Sequence, residues 1–141
     1  MEYPKPEPTA LSRPFWDALR DGQLVFQRCG CGHAFLPARR HCPACLRPDP
    51  QWERASGKGR LVSWVVYHTA YHPAFESRLP YNVALVQLAE GPRLLTNIVG
   101  PNEALAADAP VELKIEWEGD AALARFGLSA VPQPPLRPVE P

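Results

Sequence analysis

Neither sign of charge dominates this chain of 141 residues, in which 15 Lys and Arg face 15 Asp and Glu. A net charge of zero provides no global field to steer it onto nucleic acid or an anionic membrane, so any anion site must be local. Long apolar runs are missing too. Residues 61–67 and 83–88 fall far short of the roughly 20 residues that span a bilayer, so a soluble protein is expected. The opening MEYPKPEPTA has no apolar h-region of a secretory signal, which predicts a cytoplasmic location. Also absent are a Gly-rich phosphate loop, a carboxylate pair of diagnostic spacing and a Ser or Cys nucleophile in a recognisable motif. No catalytic residues of its own are expected. His68 and His72 could exchange protons near neutral pH, but an independent hydrolase built on them is the weakest reading.

Cysteine is scarce but concentrated. All four lie in RCGCGHAFLPARRHCPAC, as Cys29, Cys31, Cys42 and Cys45. A disulfide framework there would staple one loop and leave the rest untouched, so a metal site is expected instead. Zinc takes four tetrahedral ligands, and paired thiolates on two tight turns supply them. Cys42-Pro43-Ala44-Cys45 has the usual two-residue knuckle spacing. The first pair has one intervening residue, a tighter chelate, with Gly30 and Gly32 to ease the backbone. His33 and His41 stand close enough in sequence to replace one cysteine. Four protein ligands leave no open position, so the expected Zn2+ is structural and folds a segment too small for its own core.

Proline is plentiful and uneven. Pro4, Pro6 and Pro8 mark one end and Pro132, Pro134, Pro135, Pro138 and Pro141 the other. Both ends are expected to be extended, as solvated tails or as arms laid along a partner. SRPFWDALRDG predicts a short helix capped by Ser12 and ended by Gly22, with Phe15, Trp16 and Leu19 on one face. So short a helix must dock, by default on its own barrel.

Strands are expected over residues 23–28, 58–68, 82–88, 93–99, 111–118 and 121–126, where β-branched and aromatic residues alternate with polar ones. Residues 101–107 read as a short helix. After the cysteine region the order is therefore three strands, a helix and two strands, the layout of an OB-fold. An SH3-like barrel or a small sandwich is the alternative. The expected architecture is mainly β: a short N-terminal helix and a rubredoxin-like zinc ribbon, then a five-stranded OB-fold barrel. The expected divisions are an arm and helix over residues 1–22, the ribbon over 23–50, the barrel over 51–128 and a Pro-rich tail over 129–141.

The loop between the first two barrel strands concentrates aromatics and histidines, which marks either a binding surface or packing at the barrel end. Tyr67, His72, Phe75, Tyr81 and Asn97 form the expected ligand-facing set. Arg39, Arg40, Arg47, Arg54, Lys58 and Arg60 could receive phosphates. A nucleic-acid-binding module is a competing reading, although such binding needs a basic stripe.

The sequence resembles a family of zinc-ribbon and OB-fold proteins, long catalogued as a domain of unknown function and associated with acyl-CoA metabolism. The resemblance runs from Phe15 to Phe126, through FWDALRDGQL, QRC to CPAC, HPAF, PYNVALVQL and EGPRLLTNIVG. It implies a non-catalytic accessory subunit that docks on a thiolase-fold enzyme and helps bind a CoA thioester. Other members partner aldolases that shorten steroid side chains. Two departures stand out: the shortened first cysteine pair, and Asp108-Ala109-Pro110 where the family often has a Gly-Met-Pro turn.

Overall fold

A computed structural model of the chain describes residues 6–129. The extended ends expected at Pro4 and from Pro132 to Pro141 lie outside the described residues.

Helix α1 (Arg13–Arg20) forms where expected, with Pro14 in its first turn. Gly22, at φ +81°, ends it. Its N–H is donated to Leu19 O at 3.0 Å and that of Gln23 to Ala18 O at 2.9 Å, the paired bonds of a Schellman stop. Ser12 departs from expectation and makes no side-chain cap. Its backbone is already helical (φ −88°, ψ −9°), whereas a capping residue needs extended dihedrals to turn its oxygen inward. Ser12 Oγ instead accepts the Thr9 N–H at 2.9 Å.

Two sheets follow. The smaller has β1 (Val25–Arg28) between β2 (Ala34–Phe35) and β3 (Gln51–Arg54), both antiparallel to it. Strand β3 was not foreseen, because three of its four residues are exposed and QWER shows no alternation. Buried Gln27 clamps the loop after β2: its side chain accepts the Arg39 N–H at 2.7 Å and donates to Arg39 O at 3.2 Å.

The larger sheet holds β4 (Lys58–Tyr67), β5 (Tyr81–Leu88), β6 (Arg93–Thr96), β7 (Ile98–Val99), β8 (Pro110–Glu118) and β9 (Ala121–Leu128). Its order is β6-β5-β4-β8-β9-β7. Strand β4 pairs with β5 along its length and with β8 at its start, with a register shift between Leu61 and Ser63. Such an irregularity bends a strand and lets it serve both walls of a barrel.

The single strand expected over residues 93–99 is broken at Asn97. Before the break it runs antiparallel to β5; after it, Ile98 and Val99 run parallel to Phe126 and Gly127 of β9. The OB-fold is present, but its barrel is not closed. Among the described residues no ladder joins β6 to the Leu123–Arg125 stretch of β9, and a seam remains there. Buried Asn82 secures the break, accepting the Ile98 N–H at 2.7 Å and donating to Ile98 O at 2.9 Å.

The helix expected over residues 101–107 is only a 3-10 turn, Asn102–Ala104. Leu105 leaves it in an extended conformation and packs on the core; continuing the helix would forfeit that burial.

One core unites the parts. Leu19 of α1 and Leu24 and Phe26 of the ribbon join Leu61, Val86, Leu88, Ile98, Val111 and Phe126 of the barrel. The helix thus docks on its own chain, against β9 and β1. No helix among the described residues is long and apolar enough to cross a membrane.

Candidate metal centre and aromatic groove

Each cysteine pair sits on a turn closed by backbone hydrogen bonds. In the first, the Cys29 N–H is donated to His33 O and the Gly32 N–H to Cys29 O, both at 2.9 Å. In the second, the Cys42 N–H is donated to Arg47 O at 2.9 Å and the Leu46 N–H to Cys42 O at 2.8 Å. The two turns bring all four Sγ atoms within 4.8 Å of one another. Cys29 and Cys45 sulfurs lie 3.4 Å apart and those of Cys31 and Cys42 3.8 Å. Tetrahedral Zn–S bonds of about 2.3 Å place sulfurs roughly 3.8 Å apart, so the cluster fits zinc despite its short first pair. The histidines stay out of it: His33 stacks on Phe35 at 5.7 Å, and exposed His41 bridges to Pro48.

The chemistry of the thiols agrees with that geometry. Burial raises the Cys42 thiol, but backbone N–H groups of Cys45 and Ala44 outweigh it and bring it down to about 7. At Cys45 the backbone of Arg47 favours the thiolate, yet burial and the crowding of Cys29, Cys31 and Cys42 push it up to about 12. Four sulfurs this close resist ionising together, and a bound dication removes that resistance. It would hold the two turns together, with no coordination position left for a substrate.

The aromatic residues gather at the far end of the β4–β5 hairpin. Tyr67 and Tyr81 are cross-strand partners and stack at 5.3 Å. Tyr71 meets Tyr67 edge-on at 5.7 Å, and Phe75 lies 5.7 Å from Tyr81. His72 stands 5.8 Å from Phe75 and caps the 3-10 turn Pro73–Arg78, its Nδ1 accepting the Ala74 N–H at 3.0 Å. Four of the five expected ligand-facing residues therefore form one chain of rings. Phe75, Tyr81 and Asn97 border a groove of about 1180 Å³, whose walls do not include Tyr67 or His72. The Asn97 side-chain amide is donated to Asn82 O, which gives it a part in the strand break.

An ionic network that the sequence did not suggest pins this loop to the barrel. Arg78 pairs with Glu118 at 2.6 Å, Glu118 with Arg125 at 2.8 Å, and Arg125 with Glu116 at 2.7 Å. Burial raises the Glu118 carboxyl, but Arg125 and Arg78 outweigh it and hold the group below its ordinary range. The alternation of VELKIEWE was the available signal, since it sets Glu116 and Glu118 on one face. Of the expected basic cluster, Arg54 and Lys58 line a shallow groove whose walls include Asp21 and Glu112, a mixed surface rather than a phosphate cradle.

Two family models cover adjoining stretches: the ChsH2 rubredoxin-like zinc ribbon domain over residues 16–51 and the ChsH2 C-terminal OB-fold domain over residues 52–116. A DUF35 domain-containing scaffold protein of Pyrococcus furiosus is 35% identical over 100 residues, which cover 69% of this chain and 72% of that protein. The chain belongs to the ChsH2/DUF35 family. A probable enoyl-CoA hydratase alpha subunit of Thermomonospora curvata is 44% identical over 100 residues, covering 68% of this chain but only 30% of that protein. Among solved structures, a chain of the Ltp2-ChsH2(DUF35) aldolase superposes with a TM-score of 0.79 at 35% identity, covering 88% of this chain and 98% of that one. The short first cysteine pair thus sits in an otherwise regular ribbon of the family, and four clustered cysteines supply the expected structural zinc site.

Proposed function

We propose that this chain is a non-catalytic accessory subunit of an acyl-CoA-processing enzyme complex, docking on a catalytic partner and helping to hold the CoA thioester. The observation that carries the reading is its likeness, over nearly the whole of the other chain, to a chain of the Ltp2-ChsH2(DUF35) aldolase. The scaffold name of the Pyrococcus furiosus relative supports it as well. So does the site chemistry: the four thiols form a set that a structural metal would fill with no open position, and His72 is occupied as a helix cap. The partner is a thiolase-like enzyme that makes or breaks a carbon-carbon bond. A steroid side-chain-type aldolase is the second reading, favoured by that same aldolase likeness.

In this reading Tyr67, His72, Phe75, Tyr81 and Asn97 mark the ligand-facing end of the barrel. The units are the N-terminal arm and helix, the ribbon, the barrel and the Pro-rich tail. Nucleic-acid binding is disfavoured by the zero net charge.

The test is co-expression with thiolase-fold and aldolase candidates, followed by native mass spectrometry with and without acyl-CoA. A hetero-complex carrying one zinc per copy of this chain and gaining mass with acyl-CoA is the expected result. A lone chain indifferent to CoA would overturn the reading.

A further inference from the structure

The open seam is a cavity as well as a gap. Between α1, the loop after β2, β6 and β9 lies a cleft of about 580 Å³, within the range of small-molecule sites. Phe15, Trp16, Leu36, Leu94 and Ala124 contribute to its walls. Its polar groups are already engaged. Thr96 Oγ1 is donated to Ala124 O at 2.7 Å, the Asn97 amide to Asn82 O, and Ser12 Oγ accepts from Thr9. Arg125, also on the wall, is neutralised by Glu116 and Glu118.

Arg93 is the exception. It lines the same cleft and is exposed, and its guanidinium makes one long contact, 3.5 Å to Gln87 Oε1. Among the described residues it has no carboxylate partner. An apolar cavity with satisfied polar groups and one uncommitted cation at its rim is complementary to a hydrocarbon chain ending in a single anion. We infer that the seam cleft binds an amphipathic monoanion of this kind, its hydrocarbon between α1 and β9 and its anionic end at Arg93. This site lies outside the aromatic loop, and its occupancy does not depend on the CoA reading.

The experiment is calorimetric titration of the purified full chain with decanoate and decanol, below micellar concentrations, alongside fluorescence of Trp16 in the cleft wall. Decanoate is expected to bind more tightly than decanol and to shift an emission signal that Trp16→Phe removes. Arg93→Gln, at an exposed position, should weaken decanoate about three- to fivefold and leave decanol unchanged. Ala38→Phe, which places a ring in the cleft from the loop side, should weaken both at least about tenfold. No binding of decanoate up to millimolar concentration would overturn the inference. So would equal affinity for the two ligands, or binding undiminished in a folded Ala38→Phe chain.

Discussion

In the ribbon, the buried side chains beyond β1 are Cys29, Phe35 and Cys42; in the barrel, Phe126, Leu61, Leu88, Val86 and Val111 fill a continuous interior. The first set is too small to offset the ordering of some 25 residues by apolar burial, so sulfur and metal must supply the difference. The second needs no such aid. Yet Phe26 belongs to the ribbon by strand pairing and to the barrel by packing. Two unlike means of cohesion therefore share one boundary, and a substitution on either side tests how far they depend on each other.

The largest effect is expected from Cys42→Ser. It should abolish stoichiometric zinc, measured by metal analysis, and cost more than about 5 kcal/mol of ribbon stability. Retention of one tightly bound zinc per chain would break the comparison at its root. Phe126→Ala should cost about 3–5 kcal/mol in urea unfolding and leave zinc content unchanged. Loss of metal with that variant would instead make the barrel a prerequisite of the ribbon site.

A smaller effect belongs to Glu118→Gln, which uncouples the aromatic loop from the barrel at a cost under about 1 kcal/mol. The folded-state value of Glu118 is depressed from 4.5, so its contribution is fully present above that ordinary value. It is lost as pH falls through the depressed value. Wild type and variant should differ at pH 7 and converge in acid, as thermal unfolding across that interval would report. Smallest of all is Ser12→Ala. A working cap would cost about 1 kcal/mol, but this hydroxyl bonds back to Thr9, and the expected change is within about 0.5 kcal/mol.

Much of this was legible beforehand because its causes are local. The Cys42–Cys45 knuckle, the Gly22 stop and the alternation of VELKIEWE each announce themselves within a few residues. Strand β3 was not legible, since QWER is mostly exposed and is a strand only because β1 offers it an edge. The break at Asn97 follows from a change of partner between β5 and β9, which no window of seven residues encodes. The seam cleft was beyond reach for the same reason, being assembled from α1, a ribbon loop and two barrel strands far apart in sequence. Of the expected ligand-facing set, the four ring-bearing residues were legible together because a hairpin end collects them. Asn97 came from strand position alone and proves to be tied into the backbone.

The change of partner at Asn97 also has a dynamic meaning. Ile98 gives its N–H to a buried side chain, with its neighbours laddered to β9, while β6, one residue away, leaves its outer edge facing the seam. Two adjacent stretches of one strand should then lose their amide hydrogens to solvent on different schedules: β6 through local opening at the seam, Ile98 only when the barrel as a whole comes apart.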